Sequence, residues 1–319
     1  MSGVESTLPL AADESSLDRR AAADLVPLDS APTATPSVVL EERVYTAESE
    51  FRHPLRLIRQ IVRDTWSSRE LSWRMFVRDL SSQYRQSALG YVWAVLPPLG
   101  TMLIWVFLNR QGIIQVGETS LPYPLFVLIG IVLWDAFAAA LLAPMNAVTA
   151  SAALMARINF PRESIMLTAF ASLAFHVAIR LVLLALLFAY YGLVPPPAAL
   201  LAPIGMLALI SLGFGIGLLL TPPSILYHDV SRTVNFLLGP MFFLTPIIYP
   251  SPTAWPATIL NRVNPVSPLL SGTRHLLGTG LLPNPTPFLL LTAISFVGLA
   301  LAWIVCRTAM PHLISKMGA

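Results

Sequence analysis

From residue 91 onward, charge interrupts the chain rather than filling it. Residues 91–109 carry none, and after the polar stretch 110–118 a second apolar run covers 123–148, broken only by Asp135. A third run, 164–191, holds His176 and Arg180. From Leu181 to Tyr227 there is no charge at all, too long for a single crossing at ~20 residues per span. Gly192 and the triplet Pro195-Pro196-Pro197 divide it, which leaves a fourth run at 198–220. The fifth and sixth cover 233–249 and 288–305. This pattern predicts an all-α polytopic membrane protein with six transmembrane helices between residues 91 and 312.

Three further segments are neither span nor plain loop. The first belongs to a cytoplasmic and interfacial region, 51–90. On a helical wheel, Trp73, Phe76, Val77, Leu80 and Tyr84 share one arc, and Arg74, Arg78 and Arg85 form a second. An aromatic arc beside an arginine arc predicts an amphipathic helix lying in the membrane interface. Two roles for the arginines stay open: contact with anionic lipid that fixes topology, or a substrate-access site for a phosphate-bearing molecule. The second segment is the loop 151–164, with Arg157, Phe160, Pro161, Arg162 and Glu163. An aromatic among charges of both signs suits docking on a soluble partner. The third is 251–285, where prolines flank two short apolar pieces, Trp255–Leu260 and Leu269–Leu277. Neither is long enough to cross, so they are read as a re-entrant helix pair between spans five and six.

Charge distribution orients the chain. With the N-terminus inside, the inner segments collect 16 Lys and Arg residues, Arg307 and Lys316 among them; the outer ones collect Arg110, Arg262 and Arg274. The positive-inside rule then places both termini in the cytoplasm. Residues 1–50 differ from the rest, with ten acidic against three basic residues. They have no aromatic before Tyr45 and no sustained period, and are expected to be a disordered cytoplasmic tail. Residues 313–319 are a short cytoplasmic C-terminus.

Composition agrees with a membrane class: 55% of the 319 residues are apolar and 12% charged, against roughly 25% charged in soluble proteins. The lone Cys306 excludes an intramolecular disulfide and a cysteine-cluster metal site. A P-loop needs G-x-x-x-x-G-K-[ST], and the only lysine, Lys316, stands between Ser315 and Met317. The chain is therefore expected to be no enzyme and no ATPase, and to bind no cofactor of its own.

The run Arg78-Asp79-Leu80-Ser81-Ser82-Gln83-Tyr84-Arg85-Gln86-Ser87-Ala88-Leu89-Gly90-Tyr91-Val92-Trp93-Ala94 resembles the opening of the membrane subunit of ABC transporters that export polysaccharides. The family pattern R-D-L-x-x-x-Y-x-x-S-x-L-G-x-x-W-x is matched at every fixed position. Asn159–Glu163, Phe242–Pro250 through Asn264-Pro265, and Tyr227–Arg232 are also similar to family segments, with His228 where an arginine is common. The resemblance covers about residues 54–312; the acidic tail lies outside it.

The resemblance implies a homodimer of permease subunits with two separate ABC ATPase subunits that bind ATP and Mg. Its implied substrate is a lipid-linked glycan (O-antigen, teichoic acid or capsular polymer) crossing the bacterial inner membrane. No nucleic-acid partner is expected. The same resemblance assigns ATPase coupling to Arg157, Phe160, Pro161, Arg162 and Glu163, with Asp229 and Arg232 secondary, and the outer gate to the re-entrant pair. Tyr91, Trp93, Trp105, Phe242, Phe243 and Tyr249 are candidate channel-lining aromatics, each also suited to facing lipid or anchoring at the interface.

Asp135 and Arg180 lie about 12 and 11 residues from the outer ends of their runs, hence at similar depth in antiparallel neighbours, ~16–18 Å down. A lone charge at the bilayer centre costs ~2.5–3.5 kcal/mol or more, so Asp135 is expected to pair with Arg180 or His176. Three other classes remain in view: a small-molecule ABC exporter, a membrane-embedded lipid-linked glycosyltransferase, and a secondary transporter. The transferase would need acids gathered at one interface, and Glu118, Asp135, Glu163 and Asp229 fall at different depths.

Overall fold

The computed structural model of the protein describes residues 63–85, 87–157, 162–252, 255 and 257–317, without side chains at 152–157, 162, 228, 257 and 310–317. The acidic tail, Phe160 and Pro161 lie outside the described residues. Among those described, the regular elements are all helices. They are α1 (Arg69–Arg85), α2 (Leu96–Arg110), α3 (Tyr123–Arg157), α4 (Arg162–Tyr190), α5 (Ala202–Leu226), α6 (His228–Leu244), α7 (Ala257–Val263), α8 (Val266–Gly278) and α9 (Pro285–Met317), with 3-10 turns at Gly90–Ala94 and Pro197–Leu201.

Four of these are long and apolar enough to cross a membrane: Tyr123–Ser151, Glu163–Tyr190, Pro197–Leu226 and Pro285–Ala309. The runs expected at 91–109 and 233–249 fall instead on helices of 15 and 17 residues. At 1.5 Å per residue these are about 22 and 26 Å long, short of a ~30 Å hydrocarbon core. Proline sets the end of α6. Pro246 disfavours helical geometry at the residue before it, and Thr245 is extended (φ −96°, ψ 138°). The fifth run therefore breaks five residues before its hydrophobicity does.

α5 is the axis of the bundle, packed along most of its length by α3 and α9. Glycines make this possible. A Cβ on Gly213 or Gly217 would run into the backbone of Phe137 and Leu141 on α3, and one on Gly215 would press on the α9 backbone at Leu299. Gly205 of α5 and Gly272 of α8 make room for the Phe288 ring of α9. The core lies between these helices, with Leu125, Leu128, Ile129, Leu209, Ile247, Leu269 and Leu270 fully buried. Accordingly 78% of the α3 span and 67% of the α5 span is buried, against 17% each for α4 and α9. The last two present their apolar residues outward, as lipid-facing helices do.

α1 does not stand apart from the bundle. It runs obliquely along the first half of α4, where Ser72 O accepts from Thr168 Oγ1 (3.3 Å) and Phe76 meets the edge of Phe175 (ring centroids 6.1 Å). The arc expected to be uniformly apolar is split: Phe76 is buried against α4, while Trp73 and Val77 are exposed.

Gly217→Val should lower the melting temperature of the detergent-purified protein by an amount equivalent to about 1–3 kcal/mol, because the added carbons must displace backbone rather than a side-chain tip. An unchanged melting temperature would show that the α3–α5 contact is loose.

Candidate transport site

At the end of the bundle where α3 begins, the broken segment after α6 is held by one arginine. Arg274 of α8 is buried, and its two terminal nitrogens donate to Pro246 O (2.9 Å) and Ile247 O (2.6 Å). Its guanidinium lies over the Phe126 ring, 3.9 Å from the centroid. Gly130 permits this; a Cβ there would meet both the guanidinium and the Ile247 carbonyl. Gly130 is seven residues along α3 from Tyr123, so Arg274 lies about 10 Å below that end. Burial pushes the guanidinium down to about 9, which leaves it protonated at neutral pH. Burial, with Arg274 beside it, pushes His275 below its usual range, so its ring is neutral there.

The same break is tied from three other sides. Asn264 Nδ2 donates to Thr245 Oγ1 (2.8 Å) while its Oδ1 accepts from Val266 N (3.0 Å), opening α8. Tyr123 Oη donates to Ile248 O (3.2 Å), and Tyr249 Oη to Phe243 O (2.7 Å). The two short helices α7 and α8 take the place of the expected pair, separated at Pro265. α8 is buried along Val266, Leu269, Leu270 and Thr273 against α5 and α9.

In mid-bundle, Arg180 Nη1 lies 3.5 Å from Asp135 Oδ2, joining α4 to α3. His176, one turn before Arg180, is engaged elsewhere. Its Nδ1 faces Ser172 O (2.7 Å), a pure acceptor, so in the neutral ring Nε2 accepts from Tyr84 Oη (3.2 Å). Tyr84 also packs on Tyr91 (4.4 Å between centroids), which meets Phe175 edge-on. Burial first, then Tyr91, pushes the Tyr84 hydroxyl above its usual range, so it stays a donor.

The α1 arginines are less available than the sequence suggests. Arg74 pairs with Glu70 (2.6 Å) and Arg78 with Asp79 (2.7 Å), all exposed, and such pairs contribute little to stability. Arg85 is exposed.

Of the coupling candidates, Phe160 and Pro161 lie outside the described residues, as do the side chains of Arg157 and Arg162. Glu163 is described, and it turns inward. Its Oε1 is 3.3 Å from Arg307 Nη1 of α9, and Arg307 Nη2 donates to Asp64 Oδ2 (2.9 Å). Asp229 and Arg232 stand exposed at the start of α6, 3.4 Å apart. Among the aromatics, Tyr91, Trp93 and Phe243 are exposed, whereas Phe242 meets Trp134 in the core and Trp105 faces Phe243.

From sequence, Arg274 counts only as an outer-loop charge and Arg307 as an inner charge after the last run, and Asp64 has no assigned role. For Arg274 a signal existed: it is the one arginine in the short segment Leu269–Leu277, between two leucine pairs. For Asp64 and Arg307, 243 residues apart, no local pattern points to the contact.

Long apolar helices carrying internally paired charges define a multi-pass membrane protein. The chain matches the ABC-2 type transporter family over residues 70–277 and belongs to it. It is 25% identical over 242 residues to the O-antigen export system permease protein RfbA of Myxococcus xanthus, covering 75% of this chain and 92% of that protein. It is 28% identical over 213 residues to RfbA of Klebsiella pneumoniae (64% and 79%). It is also 23% identical over 178 residues to the polysialic acid transport protein KpsM of Escherichia coli (55% and 68%).

Two outcomes are expected at these charges. Arg274→Met removes two charge-assisted hydrogen bonds and strands two buried carbonyls, and should destabilise the purified protein by on the order of 3 kcal/mol. Separately, Asp135→Arg and Arg180→Asp should each cost about 3–5 kcal/mol, as for a broken buried pair. Combining them should recover much of the melting temperature; a double as damaged as the singles would deny any coupling between the two.

Proposed function

We propose that this chain is the channel-forming permease subunit of an ABC transporter exporting lipid-linked cell-surface polysaccharide, O-antigen foremost, across the bacterial inner membrane. Two copies enclose the path. Two separate ATPase subunits, which bind ATP and Mg, drive it from the cytoplasm through residues 157–163, with Asp229 and Arg232 beside them. The observation that carries this reading is the alignment with the Myxococcus xanthus O-antigen permease, which runs through 92% of that protein.

Six crossings with both termini inside complete the proposal, and parity supports them. Asp64, Glu163 and Arg307 meet in one ion cluster, so all three belong to one side of the bilayer. The chain must then cross an even number of times between each. Between Asp64 and Glu163, α3 alone has spanning length among the described residues, and α2 with its leading turn supplies the second crossing. Between Glu163 and Arg307 lie α4, α5 and α9, and α6 supplies the fourth. The positive-inside count makes the shared side cytoplasmic. The transferase alternative is disfavoured because Asp135, Glu163 and Asp229 each sit on a different arginine instead of gathering at one interface.

Co-expression with a candidate ATPase in a strain lacking its own O-antigen permease should restore surface polymer and allow the two proteins to be purified together. Phe160→Ala with Arg162→Ala should abolish both. Nucleotide turnover or transport by the isolated chain in liposomes would overturn the reading.

A further inference from the structure

The cluster around Arg307 joins the packed α1 and α4 segments to α9. Asp64 leads into α1, Glu163 opens α4 directly after the 158–161 segment, and Arg307 lies near the inner end of the last span. All three side chains are largely removed from solvent, at 11–17% exposure. α9 shares no extended packing with α1 or α4; its neighbours are α5 and α8, with a small contact to α3. Apolar contacts also join the two halves here, with Met166 and Phe170 of α4 against the cluster of Phe214, Leu218 and Cys306; the forked guanidinium adds the polar bridge that reaches both Glu163 and Asp64.

The two arms of the fork are unequal. Nη2 makes a well-formed 2.9 Å hydrogen bond to Asp64. Nη1 stands 3.3 Å from Glu163, yet no hydrogen bond to it is satisfied. The Asp64 arm is thus the fixed one. The Glu163 arm is an ion pair of longer reach, which tightens or parts as the start of α4 shifts. α1 would follow any such shift, because Ser72–Thr168 and Phe76–Phe175 bind it to the same half of α4.

We propose that Arg307 is a positioning residue for transport: the Glu163–Arg307–Asp64 clamp delivers displacement of the 157–163 loop to α9, and through α9 to the α5 axis. This rests on the permease reading above and adds to it the element through which the loop acts on the bundle. Without the clamp, the start of α4 reaches α9 only through apolar contacts such as those of Met166 with the Leu218 and Cys306 cluster, which slide more readily than a charged pair. Arginine suits this role because its planar fork aims separate N–H groups at two carboxylates, whereas a lysine ammonium offers its donors from one nitrogen with no fixed direction.

The test uses the full complex of this chain with its ATPase, in membranes carrying the lipid-linked polymer. Three quantities are measured together: ATPase recovered with the permease, ATP hydrolysed, and polymer exported. Arg307→Gln should retain ATPase recovery and near-native hydrolysis, while export per ATP falls by about fivefold or more. Because that variant removes the cation facing both carboxylates, Arg307→Lys accompanies it. Lysine keeps the Asp64 pair and the fold, and should still lower export per ATP.

Unchanged export per ATP in both variants would overturn the clamp. So would export that falls only in step with recovered complex, since that is a structural role. Failure of the unmodified chain to recover any ATPase would instead sink the permease reading, and the clamp with it.

Discussion

A guanidinium removed from water must be given partners, and where this chain places its buried arginines decides which helices lie side by side. Arg274 takes two backbone carbonyls and an aromatic face near one end. Arg180 takes a carboxylate in the middle, and Arg307 takes two at the other end. Each set joins segments far apart in sequence. Leaving any of these charges alone costs more than a surface pair could return, so the three contacts act as registers at three depths. Between them the helices are free to approach as closely as their side chains allow, and the glycines of α5 set that approach.

The result is a bundle with unequal parts. α3 and α5 are enclosed and tightly packed, while α4 and α9 offer most of their apolar surface outward. α2 and α6 are short, and α6 ends where a proline forces the chain out of helix. The free carbonyls released by that break are what Arg274 satisfies. Irregular backbone at membrane depth persists only when protein groups replace water as its partners, and Tyr123 and Arg274 do so here for the carbonyls of residues 246–248.

At the opposite end the arrangement is different in kind. Exposed pairs on α1 and at the start of α6 neutralise charge locally and tie nothing distant together, whereas the Arg307 cluster spans the chain. It turns Glu163 away from the surface where a docking residue would be sought. The residues before it, 157–162, carry the docking role in the proposed assembly, and Glu163 links that stretch to the bundle. In the proposed assembly, loop, clamp and axis form one mechanical sequence, from the docking stretch to the glycine-lined contact of α5 with α3.

Much of this was legible from residue order alone. Uncharged runs of about 20 residues mark helices that cross a membrane because length and hydrophobicity are local properties. The long spans at α3, α4, α5 and α9 were found that way, as were the short proline-bounded helices α7 and α8. The depth match of Asp135 with Arg180 needed only a count along two antiparallel runs. What residue order could not decide was which partner each remaining charge would take. Arg274 read as a loop cation, His176 as a partner for Asp135, and Glu163 as a surface contact. Their environments depend on which helix faces which at what depth. The end of α6 at Thr245, the split of the α1 face between Phe76 and Trp73, and the meeting of Asp64 with Arg307 depend on it too. Those are properties of the packed bundle, set by close backbone approach and by the need to satisfy every buried charge, and no stretch of sequence contains them.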